Sequence, residues 1–300
     1  MQILFCGTGW LPIVDEIRRR LPAGVEIRTR DLDRPLLAQL DDVNVILPSN
    51  GRIDAAAIAA PRDLRLVQQP AAGYEGIDLE AARARGVPVC NAPGANVGAA
   101  AELTLFMLLA LARRLPAARR RFAERQIGIP VGLELAGRTL ALIGEGRIGG
   151  RVRVLAEALG MTVRSVRSNA TRADLRALVD GADFVSLHCP LTPATRGLVD
   201  ADLLARMKPG AFLVNCARGA IVDRTALEGA LAAGRLGGVG LDCFWEEPWD
   251  PADPLFARDE VVVLPHIGGS TAESFGNIAE IVAGNIRRVL AREELHHRIV

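Results

Sequence analysis

The 300-residue chain is half hydrophobic, which is ample for a buried core and predicts two domains. Its 36 Lys and Arg residues nearly balance 35 Asp and Glu residues, and a net charge of +1 gives no support for a nucleic-acid or membrane partner. The chain enters an apolar strand without a basic leader, and its five cysteines form no C-x-x-C pair. We therefore expect a cytoplasmic protein with reduced thiols and no metal-ligand cluster.

Short apolar runs alternate along the chain with longer amphipathic runs. Continuous Val/Ile/Leu runs in this alternation predict parallel sheets covered by helices on both faces. Ten strands are predicted in chain order, over residues 2–6, 43–47, 66–68, 87–90, 139–143, 162–166, 184–187, 211–215, 238–241 and 261–264. Between the fourth and fifth strands, a helix over 97–114 is expected to end before Pro116. A last amphipathic helix, about 272–292, is expected to pack back on the first four strands.

The stretch "TLALIGEGRIGGRVRVLAEALG" places a strand before, and a helix after, the pattern Gly144-x-Gly146-x-x-Gly149. Gly144 permits a tight turn, Gly146 lets the backbone approach a pyrophosphate, and Gly149 lets helix and strand pack closely. In this context the pattern predicts a dinucleotide site, although an ordinary tight turn is the alternative. The earlier "ILFCGTGWLP" lacks the third glycine and carries Pro12, so we interpret it as a structural turn.

About 20 residues past such a loop, an acid normally accepts hydrogen bonds from the ribose hydroxyls of NAD. Arg167 and Ser168 stand there instead. A guanidinium is expected to accommodate the 2′-phosphate of NADP, which an acid would repel. The sequence therefore predicts NADP as the preferred cofactor, with NAD possible. The alternative is that Arg167 is a solvated loop residue.

Glu145, Arg147 and Ile148 occupy the other positions of the glycine loop. Arg147 and Ile148 are predicted to contact the cofactor. A carboxylate at position 145 would repel a pyrophosphate unless it points away or pairs with a cation. Arg147 and Arg151 are the candidate partners that we expect for it.

Six stretches in order resemble the D-isomer-specific 2-hydroxyacid dehydrogenase family over nearly the whole chain. They are "AAGYEGIDLEAARARGVPVCNAPGANVGAAAELTL", "GRTLALIGEGRIGGRV", "LHCPLTPATRGLV", "MKPGAFLVNCARGAIVD", "GVGLDCFWEEP" and "LPHIGGST". The resemblance implies an α/β protein of two doubly wound parallel-sheet domains. A Rossmann cofactor domain over 96–268 would be inserted in a flavodoxin-like substrate domain over 1–95 and 269–300. The active-site cleft would lie at the hinges, and a homodimer would form through the cofactor domains.

Three positions match the catalytic set of that family: Arg218 in "CARGA", Glu247 in "WEEP" and His266 in "PHIGG". A guanidinium can bind the carboxylate of a 2-oxo acid and polarise its carbonyl. Histidine can donate a proton as hydride arrives, and a carboxylate behind the imidazole fixes its tautomer and favours its charged form. The alternatives are a surface arginine and a structural histidine. The choice of Glu247 over Glu246 rests on the Glu-Pro dipeptide of the family.

Further positions are carried over from the same resemblance. The backbone amides of Ala72, Gly73 and Tyr74 would help to hold the substrate carboxylate, although the Tyr74 ring could instead pack in the core. The remaining matches would line the cofactor. Pro190 and Thr195 would lie on its adenine side, and Cys216 and Asp242 would lie near its nicotinamide.

The resulting prediction is an oxidoreductase that transfers hydride between NADP(H) and a small 2-oxo or 2-hydroxy acid, with glyoxylate or hydroxypyruvate as first substrates. Formate dehydrogenases of similar fold lack the Glu–His pairing, and phosphite dehydrogenases place a lysine near Ala72. A phosphorylated substrate would need basic residues in the first domain, where Arg52 is the obvious candidate. The alternative from another class is a dinucleotide-sensing, corepressor-like binding protein, which would keep the same triad.

Overall fold

A computed structural model describes residues 1–300, and in it the chain divides into two units. The first comprises Met1–Asn96 and Ser270–Val300, and the second comprises Val97–Gly269. In sequence, the second unit is therefore inserted between the two segments of the first. The substrate and cofactor roles assigned to the two domains stay predictions.

The first unit is built on a five-stranded sheet whose pairings are all parallel. Its strands and helices are β1 (Gln2–Phe5), α1 (Pro12–Arg18), β2 (Glu26–Thr29), β3 (Val45–Leu47), α2 (Ala55–Ala59), β4 (Leu66–Gln68), α3 (Leu79–Arg85), β5 (Val89–Cys90) and α10 (Ala272–Ala291). The strand order β2-β1-β3-β4-β5 is that of flavodoxin-like folds. The predicted strands lacked β2, because this edge strand buries only Ile27.

Apolar clusters cover both faces of this sheet. Ile3 and Phe5 belong to one cluster and Leu4 to the other, as alternation along a strand requires. The first cluster also holds Ile17 of α1 and Val282 of α10. The C-terminal helix therefore packs on the first unit, as predicted.

The second unit contains a six-stranded parallel sheet. Its elements are α4 (Val97–Ala112), α5 (Leu115–Ala123), β6 (Thr139–Ile143), α6 (Arg147–Ala158), β7 (Thr162–Val166), α7 (Arg172–Val179), β8 (Phe184–Leu187), α8 (Ala201–Arg206), β9 (Ala211–Asn215), α9 (Arg224–Ala232), β10 (Leu236–Leu241) and β11 (Val261–Val263). The strand order is β11-β10-β9-β8-β6-β7. β7 lies on one side of β6, and β8 to β11 follow on the other side, so the strand order reverses at β6. In sheets of this kind, ligands bind beyond the carboxyl ends of the strands at the point of reversal. The predicted fold class is confirmed.

The helix predicted over 97–114 is shorter in the structure. α4 ends at Ala112, and Arg114 adopts a left-handed backbone conformation with φ of 53°. Pro116 then lies in the first turn of α5, where its missing N–H costs nothing, rather than closing α4. None of the helices is both long enough and apolar enough to cross a membrane.

Candidate active site

The glycine loop joins the carboxyl end of β6 to the start of α6. Gly144 has a φ of +102°, and a Cβ there would lie 2.7 Å from the amide nitrogen of Cys189. A Cβ on Gly149 would lie 2.2 Å from the carbonyl oxygen of Gly144. A side chain at Gly149 would separate the helix from the end of the strand, as predicted, whereas one at Gly144 would overlap the backbone after β8 and strain the tight turn.

The first turn of α6 fits a dinucleotide pyrophosphate. Gly146 precedes the helix without a side-chain cap, and a Cβ there would meet no atom within 4 Å. The amide groups of the first turn have no intrahelical acceptors and carry the positive end of the helix dipole. Arg147 is exposed in this turn, and Ile148 is partly buried behind it. These residues would hold the cofactor phosphates, which stays a prediction.

β7 ends beside the glycine loop, because the Gly144 and Glu145 amides donate to the carbonyl oxygen of Val166 at 3.0 and 3.2 Å. Arg167 and Ser168 follow directly and are exposed. A cation thus stands at the end of the strand next to the phosphate-binding loop. The position suits recognition of an adenosine ribose or its phosphate.

The expected partners of Glu145 were wrong. Its carboxylate pairs with neither Arg147 nor Arg151 but with Arg153, whose Nε donates to Oε1 at 2.6 Å. Ser165 on β7 donates a second hydrogen bond to the other carboxylate oxygen. These bonds, to Arg153 first and then to Ser165, hold the pKa of Glu145 below its ordinary value. The carboxylate is therefore ionised and directed toward α6 and β7.

The segment after β8 packs against the glycine loop. Burial lowers the pKa of His188 to about 4, so this imidazole is neutral near pH 7. One of its nitrogens lies 2.9 Å from Ser186 Oγ. Farther along, Thr195 donates to the Pro190 carbonyl at 2.7 Å and accepts from the Thr192 amide at 2.8 Å, which closes this loop on itself.

The turn after β9 positions Arg218. The buried side chain of Asn215 accepts a hydrogen bond from the Ala217 amide at 3.0 Å and donates one to the Arg218 carbonyl at 2.9 Å. A Cβ on Gly219 would lie 2.1 Å from the carbonyl carbon of Phe244, so this turn packs directly on the loop after β10. The sequence analysis missed Asn215, whose signal is an amide at the end of a buried strand.

Glu247 and His266 form a hydrogen-bonded pair. Glu247 Oε2 lies 2.7 Å from His266 Nδ1, and Oε1 accepts the Phe244 amide at 2.9 Å. About a quarter of each side chain is exposed. His266 has a φ of 53°, a left-handed conformation that is costly for a residue with a side chain and that clusters at functional sites.

The charge on Glu247 is stabilised despite its burial. Burial raises the pKa of this carboxyl, but the hydrogen bond and charge of His266, the Phe244 amide and the charge of Arg218 together outweigh it, so the pKa falls below its ordinary value. An ionised carboxylate can only accept a hydrogen bond, so Nδ1 of His266 carries the proton that it shares with Glu247. The Nε2 side of the ring is then the proton-donating side.

Asp242 anchors the turn that carries His266. Its buried carboxylate accepts the Ile267 amide at 2.8 Å and the Gly268 amide at 2.7 Å. Burial raises the pKa of Asp242 to about 6, although these two amides and the charge of His266 oppose the rise. Burial, reinforced by Asp242, likewise raises the pKa of the neighbouring Cys216 thiol to about 12, so this thiol is protonated.

In the first unit, the predicted substrate loop is held by two side chains. Asn91 Nδ2 donates to the Ala72 carbonyl, and Gln69 Nε2 donates to the Gly73 carbonyl, both at 2.8 Å. In a trans peptide the N–H points opposite to the C=O. The Gly73 and Tyr74 amides therefore face away from these two side chains. Sequence reasoning missed both anchors.

Comparison with known proteins places this arrangement in a family. Residues 105–268 match the family described as "D-isomer specific 2-hydroxyacid dehydrogenase, NAD binding domain". D-3-phosphoglycerate dehydrogenase of Mycobacterium bovis is 38% identical over 287 residues, which are 90% of this chain and 54% of that protein. Glyoxylate reductase of Korarchaeum cryptofilum is 38% identical over 250 residues, 78% of this chain and 75% of that protein.

Among solved structures, the TT0316 protein from Thermus thermophilus is 36% identical, with a TM-score of 0.89 over 100% of both chains. The second unit is thus a dinucleotide-binding α/β domain of an oxidoreductase family. The chain belongs to the D-isomer specific 2-hydroxyacid dehydrogenase family. It spans about half the length of the phosphoglycerate dehydrogenase that it matches.

Proposed function

We propose that this chain reduces a small 2-oxo acid to the corresponding 2-hydroxy acid with NADPH. The observation that carries the proposal is the 2.7 Å contact between Glu247 and His266, in the unit that also holds Arg218 and the glycine loop. A carboxylate paired with an imidazole is the arrangement that a proton donor requires. Family membership supports the reaction class.

In this mechanism, Arg218 donates hydrogen bonds to the substrate and polarises its carbonyl oxygen. A nicotinamide cofactor, when bound, would supply the hydride that the carbonyl carbon receives. His266 gives the Nε2 proton to the oxygen as negative charge develops there, so that C=O becomes CH–OH. Glu247 keeps the Nδ1 proton in place and compensates the imidazolium charge before transfer. The Gly73 and Tyr74 amides, with Ala72 ahead of them, would bind the substrate carboxylate.

The preference for NADPH rests on Arg167. This exposed guanidinium follows β7 at the position where an acid would accept the ribose hydroxyls of NAD. The 2′-phosphate of NADP carries nearly two negative charges, which an arginine binds through charge-assisted hydrogen bonds. Ser168 adds a hydroxyl beside it.

Replacement of Arg167 by aspartate tests the cofactor assignment. Arg167→Asp is expected to weaken NADPH strongly and to improve NADH relative to it, because the new carboxylate repels the phosphate and accepts ribose hydroxyls. The measurement is kcat/KM for both cofactors in wild type and variant. A wild-type preference for NADH, or an unchanged ratio in the variant, would contradict the role of Arg167.

A phosphorylated 2-hydroxy acid is the second candidate substrate, because a D-3-phosphoglycerate dehydrogenase is 38% identical to this chain. In the first unit, exposed Arg52 follows β3 and could bind a phosphate.

Steady-state oxidation of NADPH with glyoxylate, hydroxypyruvate, pyruvate and 3-phosphohydroxypyruvate separates the candidate substrates. Arg52→Met should affect only a phosphorylated substrate. Absence of turnover on the whole panel, with NADPH still bound, would favour the dinucleotide-sensing alternative.

We also propose that the protein is a cytoplasmic homodimer that associates through its second unit. Half of the 16 exposed large apolar side chains lie within residues 106–133, including Phe122 at 86%, Ile127 at 98% and Val131 at 79% exposure. Such a concentration of exposed apolar groups marks an association surface.

The proposed cytoplasmic location rests on the cysteines. All five are free, which is consistent with a reducing compartment.

A further inference from the structure

Glu145 and Arg167 lie on adjoining backbone segments where the cofactor ribose is proposed to bind. The Glu145 amide donates to the last residue of β7, and Arg167 follows that residue. The cations that act on the Glu145 carboxylate are Arg153 and Arg167. Left to itself, an ionised Glu145 would attract Arg167 and would repel a bound phosphate.

Arg153 prevents this by binding the carboxylate itself. Its guanidinium donates to Glu145 at 2.6 Å, to Ser165 Oγ at 2.7 Å and to the Val163 carbonyl at 3.0 Å. Ser165 in turn donates to Glu145, so the three side chains form a closed ring. We call Glu145, Arg153 and Ser165 the clasp.

The clasp is partly shielded from water and anchored on both elements that flank the loop. Only 25% of the Arg153 side chain and 19% of the Glu145 side chain are exposed. Arg153 lies on α6, and Ser165 and Val163 lie on β7, whose end carries Arg167. A further bond of 3.1 Å joins Arg153 to Glu157, whose side chain is half exposed and therefore better screened by water.

We propose that Arg153 is a specificity-determining residue for the cofactor, because it neutralises the Glu145 carboxylate and leaves Arg167 to bind the 2′-phosphate. This inference rests on the proposed preference for NADPH. Arg153 acts through Glu145 and Arg167 and is a positioning residue. Its charge, rather than its shape, is what the phosphate site requires.

The test compares adenosine 2′,5′-bisphosphate with 5′-AMP by isothermal titration calorimetry, because these two probes differ only in the 2′-phosphate. Arg153→Met should lower the affinity ratio about tenfold, since an uncompensated carboxylate then competes with the phosphate for Arg167. The double variant Arg153→Met/Glu145→Gln should restore the ratio. Arg153→Lys, which keeps the charge, should retain it.

Arg176→Met is the matched control, because Arg176 on α7 forms a comparable ion pair with Asp202 at 2.9 Å and its loss changes the net charge equally. Its affinity ratio should equal that of the wild type. If Arg153→Met does not fold, Glu145→Gln decides: a ratio at or above the wild-type value supports the proposal, and a lower ratio overturns it.

The outcomes separate this inference from the proposed function. A wild-type protein that binds both probes equally overturns the NADPH assignment and this inference with it. A wild type that prefers the bisphosphate, with an unchanged ratio in Arg153→Met, overturns only the role of Arg153. An equal loss in Arg153→Met and in the double variant shows a structural effect and also overturns it.

Discussion

The side chains of the candidate site are oriented chiefly by backbone amides. Glu247 is held by the Phe244 amide, Asp242 by the Ile267 and Gly268 amides, and Asn215 by the Ala217 amide. Backbone groups move little once the sheet has formed, so these bonds fix the direction of each side chain before any ligand binds. Such preorganisation is what proton transfer at a developing charge requires.

Removal of the proton donor tests this arrangement most directly. His266→Ala is expected to lower kcat about a hundredfold to ten-thousandfold, the usual contribution of a general acid. Arg218→Ala and Glu247→Gln should also reduce turnover. NADPH affinity, measured by fluorescence titration, should change little in all three variants. Near wild-type turnover in His266→Ala would contradict its assignment as proton donor.

The pH profile tests the pairing of Glu247 with His266. Reduction requires a proton on the imidazole, so kcat should fall at high pH, where that proton is lost. Glu247, whose pKa is lowered, stays ionised throughout that range. Glu247→Gln removes its charge and should move the fall to lower pH. An identical profile in the variant, with hydride transfer shown to be rate-limiting by a deuterium isotope effect, would argue against the pairing.

At the scale of elements, strand positions were predictable from the sequence and contacts between elements were not. All ten predicted strands exist, and nine of them are largely buried, as a continuous apolar run predicts, whereas β7 is an edge strand with no buried residue. β2 escaped prediction because an edge strand with one buried residue has no such run. The partner of Glu145 escaped because it depends on how α6 lies over β7. The Glu247–His266 pair was anticipated from family resemblance, not from any periodicity.

The turn that carries His266 depends on one carboxylate. Asp242→Asn leaves one carbonyl acceptor for the Ile267 and Gly268 amides, at a cost of about 1–3 kcal/mol if the buried donor is left unsatisfied. We expect a lower melting temperature and a kcat reduced more than the affinity for NADPH. Asp223→Asn is the control, because Asp223 caps α9 and asparagine caps equally well. Equal kcat in the two variants would show that Asp242 does not position His266.

We expect the same turn to cause a loss of activity at low pH. Because the pKa of Asp242 is raised to about 6, this carboxylate takes up a proton as pH falls through that value and loses acceptor capacity for the two amides. Activity should therefore decline below about pH 6. In Asp242→Asn that decline should be absent. A decline retained in the variant would assign it to another group.

At the scale of the whole molecule, each unit repeats one winding pattern, with its first strand flanked by the second and third. In both, the predicted ligand-binding residues follow the carboxyl ends of strands. The outer surface of a helix layer is usually polar. In the second unit, the main exception is the group of exposed apolar residues within 106–133.

Charges introduced on that surface test the proposed dimer. Phe122→Glu/Ile127→Glu should convert a dimer to a monomer in light scattering after size-exclusion chromatography, because two charges would be buried without partners. Leu32→Glu, at a comparably exposed apolar position of the first unit, is the control and should leave the mass unchanged. A wild-type monomer, or an unaffected dimer in the double variant, would refute the proposed interface.

The close approach of Gly219 to the Phe244 backbone has a consequence for mutational tolerance. A methyl group there would overlap the peptide at 2.1 Å, so even alanine must push the Arg218 turn away from the loop that carries Glu247. In a saturation library selected for activity, every substitution at position 219 should be depleted. Gly229, inside α9 with no atom within 4 Å of its missing Cβ, should accept alanine freely. Gly219 thus sets the spacing between the turn that carries Arg218 and the loop that carries Glu247.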